Sequence, residues 1–497
     1  MNLIPVIGLE THIELSTNTK MFCGCSARSE GALPNTNVCP ICTGHPGTLP
    51  VPNAAAIRFS VLLGLALNGT ITEHSKFDRK HYFYPDLPKA YQISQFDLPV
   101  MRDGELFIDV PSEGTVRIGI ERMHLEEDSA KNIHGSDGKT YVDFNRSSIP
   151  LCEIVTKPDF RTSAQAKAYV QELRLLVRML GISSGDMEHG HLRCDVNVSL
   201  REVDDTGLPI GPLNPKTEIK NINSFRAIER AVDYEISRQT ALWHAGTPPM
   251  VTTTRGWNDD TQTTDEQRTK EDSADYRYFP EPDIPPLDLR NLIIDLRDRL
   301  PELPRAKRAR FIDEYGFKPD AAKQLVDDAD LANFAEATIS ELRADISSKN
   351  PQSTADLGKL VSNWILTKLA NILSTEGKTV ASSRITPERF ATLLARIIDG
   401  TLTPQKALEV LALMEQEGVS VDDAAKELGA ASLTDSSAID AIVLDVITNH
   451  PSEVTRYHAG EEKLFAFLLG QIMKAAKGNA NPSQATEALK TALTKKS

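Results

Sequence analysis

The sequence predicts an α+β domain over roughly the first three-fifths of the chain, followed by all-α helical and tail domains. Three observations carry this. Up to about residue 290, Gly, Pro and aromatic residues are dense, and short runs alternate apolar with polar residues, as half-buried strands do. The proline-rich passage PEPDIPPLD then changes the texture. Beyond it, Ala-, Leu-, Lys- and Glu-rich segments are broken only by turn signals such as Lys349-Asn350-Pro351, Gly377, Gly400, Gly418 and Gly429. A chain of 497 residues exceeds what one core organises, and the expected division is 1–292, 293–399 and 400–497.

The first strand-like run, Gly8-Leu9-Glu10-Thr11-His12-Ile13-Glu14, places Glu10, His12 and Glu14 on one face, a face suited to a metal ion. Carboxylates this early, without a basic stretch and apolar core, exclude a secretory signal. Next come four clustered cysteines, Cys23, Cys25, Cys39 and Cys42, inside a loop spanning 21–49. Their C-x-C and C-P-x-C pairs can meet as the corners of one tetrahedron, and structural zinc is favoured over four free thiols. Four protein ligands leave no open position, so this zinc holds a loop and does not catalyse. The apolar run 61–67 is too short for a bilayer, so neither a membrane nor export is expected, and the cytoplasm follows.

The segment 77–92 combines Arg79, Lys80 and Lys89 with Tyr82, Tyr84 and Tyr91. A phosphate-binding loop with a stacking ring and a loop packed by its own aromatics are both open. In His124-Leu125-Glu126-Glu127-Asp128 three successive acids cannot share a strand face, so Glu126 and Glu127 have different partners. Glu153 stands alone in the apolar run Leu151-Cys152-Glu153-Ile154-Val155, where a carboxylate requires a partner. Arg193, Asp195 and Asn197 alternate with apolar residues and share a face. Helices are expected at about 163–180 and 226–245, each stopped by a glycine.

Several carboxylates and a histidine on strands suit a hard divalent cation such as Mg²⁺, whose remaining shell phosphates fill. No G-x-x-x-x-G-K-[ST] or G-x-G-x-x-G run occurs, so a nucleotide site here is neither a P-loop nor a Rossmann site. The H-I-G-H and K-M-S-K-S signatures of class I aminoacyl-tRNA synthetases are absent too. A formal charge of −14 excludes bulk electrostatic coating of nucleic acid, yet 463–497 holds six lysines against one acid. Alone, that asymmetry reads as a solvated helix end, with a phosphate-facing tail as the alternative.

The runs GLETHIEL, FDRKHYFYPDLPKAYQISQ, HLEEDSAK, DFNRSSIPLCEIV, LRCDVNVSLR, EIKNINSF and DYRYFPEPDIPPL, in this order, resemble the B subunits of bacterial aspartyl/glutamyl-tRNA(Asn/Gln) amidotransferases. The end, FLLGQIMKAAKGNANP, is similar to the family's helical tail, whose homology begins near residue 350. The resemblance implies a glutamine-synthetase-like cradle holding ATP, then a helical domain and a tail that touches tRNA. It implies ATP-dependent conversion of mischarged Asp-tRNA(Asn) or Glu-tRNA(Gln) to the amide. Ammonia would come from a glutaminase A subunit, a small C subunit would clamp the two, and the assembly would be a heterotrimer.

By the same resemblance His12, Glu127 and Glu153 are Mg²⁺ ligands, with Glu10, Glu126 and Asp195 behind them or on a second ion. Arg79, Lys80 and Lys89 would hold phosphate, Lys80 in the catalytic group, while Lys474 and Lys477 would meet tRNA. The chain departs from the family pattern at Ser129-Ala130, where Ala-Gly is customary, and at Ser148, where glycine is. Those departures bear on turn geometry and not on a ligand.

Overall fold

The computed structural model describes residues 2–111, 113–269, 276–346, 354–430, 436–476, 480 and 482–494. They form two compact units, Met1–Leu303 and Pro304–Ser497. The first is mixed α and β; in the second every described element is helical.

The strands of the first unit are β1 Asn2–Glu14, β2 Thr70–Ile71, β3 His74–Ser75, β4 Asp78–His81, β5 Tyr91–Ser94, β6 Met101–Val110 and β7 Gly114–Glu127. There follow β8 Lys131–His134, β9 Thr140–Asp143, β10 Pro150–Thr156, β11 Leu192–Val203, β12 Thr217–Ile222, β13 Thr253–Asn258 and β14 Thr263–Thr269, with short β15 Phe279–Pro280 and β16 Leu287–Asp288. Nine of them make one sheet in the order β14-β13-β12-β11-β1-β10-β7-β6-β2. Of its pairings only β12 with β13 is parallel. The N-terminal strand β1 thus lies in the middle of the sheet, flanked by β10 and β11.

One face of the sheet is core. Ile7, Leu9 and Ile13 of β1 alternate into it with Cys194, Val196 and Val198 of β11. They meet helices α1 Ala54–Ala66, α2 Ser163–Met179, α3 Phe225–His244 and α4 Arg290–Asp298. The sequence places α2 and α3 well: Thr162 and Ser224 cap their N-termini by accepting from the amides of Gln165 and Ala227. Both chains then turn through glycines in the left-handed region, Gly181 at φ +67° and Gly246 at φ +73°. Helix α1 is not foreseen, because AAAIRFSVLLGLA is apolar nearly all round and shows neither helical nor strand periodicity.

The second unit runs through α5 Pro304–Tyr315, α6 Pro319–Val326, α7 Ala329–Ile346, α8 Thr354–Asn363, a π-helical turn Trp364–Leu369, α9 Ala370–Thr375, α10 Pro387–Ile398, α11 Pro404–Glu417 and α12 Val421–Glu427. Gly358 of α8 crosses so close to α5 that a Cβ there would lie 1.9 Å from the carbonyl oxygen of Tyr315, so only glycine fits. The link near residue 400 is bridged: Glu415 of α11, fully buried, accepts from Lys378, the Ser383 hydroxyl and the Arg384 amide. The last helices, α13 Ser436–Asn449, α14 Pro451–His458, α15 Lys463–Ala475 and α16 Pro482–Thr494, build a cluster of their own around Val443, Leu468, Ile472 and Leu489.

Candidate functional site

The face of the central sheet opposite the helices carries the polar residues. Antiparallel pairing sets His12 of β1 opposite Glu153 of β10, and Glu153 opposite His124 of β7, giving one rung across three strands. A bulge fixes the third member. Arg122 and Ile120 of β7 pair with the consecutive residues Val155 and Thr156, so Glu121 is an extra residue. Before it Ile118 and Ile120 enter the core; after it Met123 and Leu125 do, which turns His124 and Glu126 to the polar face.

His12 Nε2 lies 3.3 Å from Glu153 and 3.8 Å from Glu126, and His124 Nε2 lies 3.4 and 3.5 Å from the same two carboxylates. Ligand atoms of His12, Glu126 and Glu153 all fall within 4.8 Å of one another. Two buried carboxylates alternate here with two imidazoles. Burial opposes ionisation of both carboxyls, but His124 and His12 outweigh it at Glu153, and His124 with Lys80 at Glu126, holding both below their ordinary range. Burial likewise opposes charge on His124, yet Glu153 and Glu126 bring it up to about 9. The Nδ1 atom of His124 is buried and has no hydrogen-bond partner among the described residues. Two carboxylates and an imidazole converging on one point fit a divalent cation, which binds by displacing imidazolium protons.

The expected acids separate into three places. Glu126 and Glu153 join His12. Glu10 and Asp195, opposite each other on β1 and β11, form a neighbouring group in which Asn197 donates to Glu10 at 3.1 Å and Lys220 pairs with Asp195 at 2.6 Å. Glu127, expected as a metal ligand, faces away: both its oxygens meet Lys89, at 2.7 and 2.8 Å, and it accepts from the Ile93 amide at 3.0 Å.

A cavity of about 1070 Å³ opens over this face, lined among others by His12, Glu14, Lys80, Glu126, Asp195 and Lys220. Of the three cations expected on phosphate, Lys80 alone lines it. Its ammonium lies 5.6 Å from the centre of the Tyr82 ring and 5.1 Å from that of Tyr276. Burial works against the Lys80 charge, but Glu126 and Glu153 more than compensate and raise its pKa. Arg79 is held by Glu281 at 2.7 Å beside Asp283, and with Lys89 it lines a separate cavity of about 230 Å³. At the wall of the large cavity Asp128 joins Arg193 at 2.8 Å and Arg146 at 3.6 Å. Glu14 is pushed up to about 7, by burial first and then by the charge of Asp128.

The four cysteines also converge, their sulfurs within 4.8 Å of one another. The Cys39 amide donates to Cys42 Sγ at 3.2 Å. A hydrogen bond from Cys23, with help from that amide and from Lys20, draws the Cys42 thiol down to about 4, while Cys23 is driven up. Lys474 is exposed on α15; Lys477 lies outside the described residues.

The GatB/GatE catalytic domain family matches residues 5–295, and the GatB domain family matches 346–493. The B subunit of the aspartyl/glutamyl-tRNA(Asn/Gln) amidotransferase of Campylobacter jejuni (strain RM1221) is 44% identical over 491 residues, covering 98% of this chain and 99% of the relative. The chain belongs to this family of B subunits. A relative of the same name from Nitrosococcus oceani is 43% identical over 98% of this chain and 99% of its own length. The chloroplastic/mitochondrial glutamyl-tRNA(Gln) amidotransferase B subunit of Oryza sativa subsp. japonica is 45% identical over 96% of this chain and 85% of its own.

Within the family frame two site residues were missed by sequence reasoning, His124 and Lys220. Both sit inside motifs already marked, HLEEDSAK and EIKNINSF, and His124 shares the strand parity of Glu126. Among the described residues no helix is long and apolar enough to cross a membrane.

Proposed function

We propose that this chain, in the cytoplasm, converts the side-chain carboxylate of aspartate or glutamate mischarged on tRNA(Asn) or tRNA(Gln) into the amide, at the expense of ATP. The observation that carries this is the convergence of His12, Glu126 and Glu153, with His12, Glu126 and Lys80 lining one large cavity, in a chain of the amidotransferase B-subunit family. The cavity above a largely antiparallel sheet supports a cradle of the glutamine-synthetase type.

A carboxylate is a poor electrophile. Its oxygen therefore attacks the γ-phosphorus of ATP, ADP leaves, and an acyl phosphate forms. Ammonia adds to the acyl carbon, phosphate departs, and loss of a proton gives the amide. Transfer of this kind needs positioning and charge neutralisation more than covalent help. His12, Glu126 and Glu153 would hold Mg²⁺, which when bound neutralises phosphate charge. Lys80, held among aromatic rings, supplies a positive charge that faces the transferring phosphoryl group. Glu10, held by Asn197, and Asp195, tied to Lys220, form the adjoining wall where a second ion or the substrate is placed. Glu127 serves by fixing Lys89.

Ammonia arrives from a glutaminase A subunit, and a C subunit completes a heterotrimer. The four cysteines hold structural zinc. Residues 400–497 are the tail, and its Lys474 and Lys477 meet tRNA phosphates. The test is reconstitution with A and C subunits, following ADP release and amide formation on each mischarged tRNA. ADP release that ignores mischarged tRNA, or amide formed without ATP, refutes the proposal.

A further inference from the structure

Lys20 has no exposed surface, and among the described residues no carboxylate lies within ion-pair distance of its ammonium. Long cations are almost never fully buried unless paired, because removing the charge from water is expensive. Its contacts are the Cys42 sulfur at 3.6 Å and the Phe144 carbonyl at 3.1 Å. The backbone leaves it little choice of position: the Lys20 amide donates to the Cys25 carbonyl, and Asn53 donates to the Lys20 carbonyl.

Four thiolates around one divalent zinc leave a double negative charge, here buried on the side of Cys23 and Cys42 and partly open at Cys25 and Cys39. We propose that Lys20 is the counter-charge of the four-cysteine centre, its ammonium balancing the thiolate charge at Cys42 and tethering the centre to Phe144. The inference rests on the zinc reading above. The tether matters because the same loop carries Arg146, which braces Asp128 at the cavity wall, and Ser147, whose hydroxyl donates to the Cys42 carbonyl.

The test uses the full-length chain and has two stages. Elemental analysis of the wild-type protein comes first. Absence of zinc defeats the zinc reading and the counter-charge with it. With zinc present, release to a chromogenic chelator is timed for Lys20→Gln, Lys20→Met and Lys20→Arg. Gln keeps a donor for Phe144 without the charge, Met keeps neither, and Arg keeps the charge. Groups around metal ligands typically change affinity by roughly 10- to 100-fold, so both neutral variants are expected to release zinc faster on that scale. Lys20→Arg should stay close to wild type. Wild-type release from Lys20→Gln overturns the role of Lys20 and leaves the zinc reading standing. If the neutral variants do not fold while Lys20→Arg folds and holds zinc, the charge requirement is sustained. Failure of all three makes Lys20 a packing residue and also overturns it.

Discussion

Exchanging Glu126 and Glu127 for glutamine, one at a time, separates two roles that adjacent residues play. Glu127 is buried with both oxygens on Lys89, whose side chain is only 13% exposed. Glutamine preserves volume and an acceptor for the Ile93 amide, but it points an amide donor at the ammonium and leaves that charge unpaired. Removing one partner of a buried pair costs about 3–5 kcal/mol, and the partial exposure of Lys89 argues for the lower end. At about 2 °C per kcal/mol for a unit of this size, the first unit should melt roughly 6 °C lower. Adding Lys89→Met should restore most of the loss, because it removes the orphan charge. At a temperature where all variants are folded, Glu127→Gln should amidate at the parent's order of magnitude. Glu126→Gln, measured where it is folded, should lose amidation by more than about 100-fold, beyond what groups behind metal ligands cost. The assays are thermal denaturation of the isolated chain and amide formation in the reconstituted complex. If Glu127→Gln melts like the parent and is as inactive as Glu126→Gln, Glu127 is a ligand and the assignment by strand parity is wrong.

Cys39→Ser should lower zinc content and destabilise the 21–49 loop, with activity falling only as far as stability does; elemental analysis alongside amidation at reduced temperature checks this. Ser148 sits at φ +68° and is buried, so Ser148→Gly should raise stability by about 1 kcal/mol, read as a higher melting temperature. Lys474→Glu should weaken tRNA binding and flatten the slope of log affinity against log salt by about one unit, measured by salt titration; an unchanged slope removes Lys474 from the interface. Ending the chain after Ala430 should leave the first unit's melting unchanged and abolish tRNA-dependent amidation, whereas ending it at Gly400 should also unfold the 378–384 segment, which has lost Glu415.

Much of the site was legible because strand parity is rigid. Glu10, His12 and Glu14 share a face in the sequence and in the sheet, as do Arg193, Asp195 and Asn197. The alternation around Glu126 and Glu127 required different partners, and they have them. Which of the two meets His12 was not legible, since it depends on how β7 registers against β10 and on the bulge at Glu121. Nor does a sequence say which cations are already taken: Arg79 and Lys89 lie beside Lys80 in the chain, but carboxylates more than 35 residues away claim both. The cysteine pattern was readable from spacing alone. Helix α1 was not, having no amphipathic stripe.

The central position of β1 also sets the order in which this domain is able to assemble on the ribosome. Both neighbours of β1 arrive late, β10 from residue 150 and β11 up to residue 203. At about 5–20 residues per second, the roughly 190 residues separating β1 from the end of β11 take on the order of 10–40 s to synthesise. Throughout that interval an apolar segment, Leu3 to Leu9, waits with unpaired edges, and its eventual pairings are among the most non-local in the sheet. The strand that carries His12 is therefore the one most exposed to misassociation during synthesis. Chaperone demand and slow folding in this unit should respond to substitutions in β1 more than to changes in the peripheral β13–β14 ribbon.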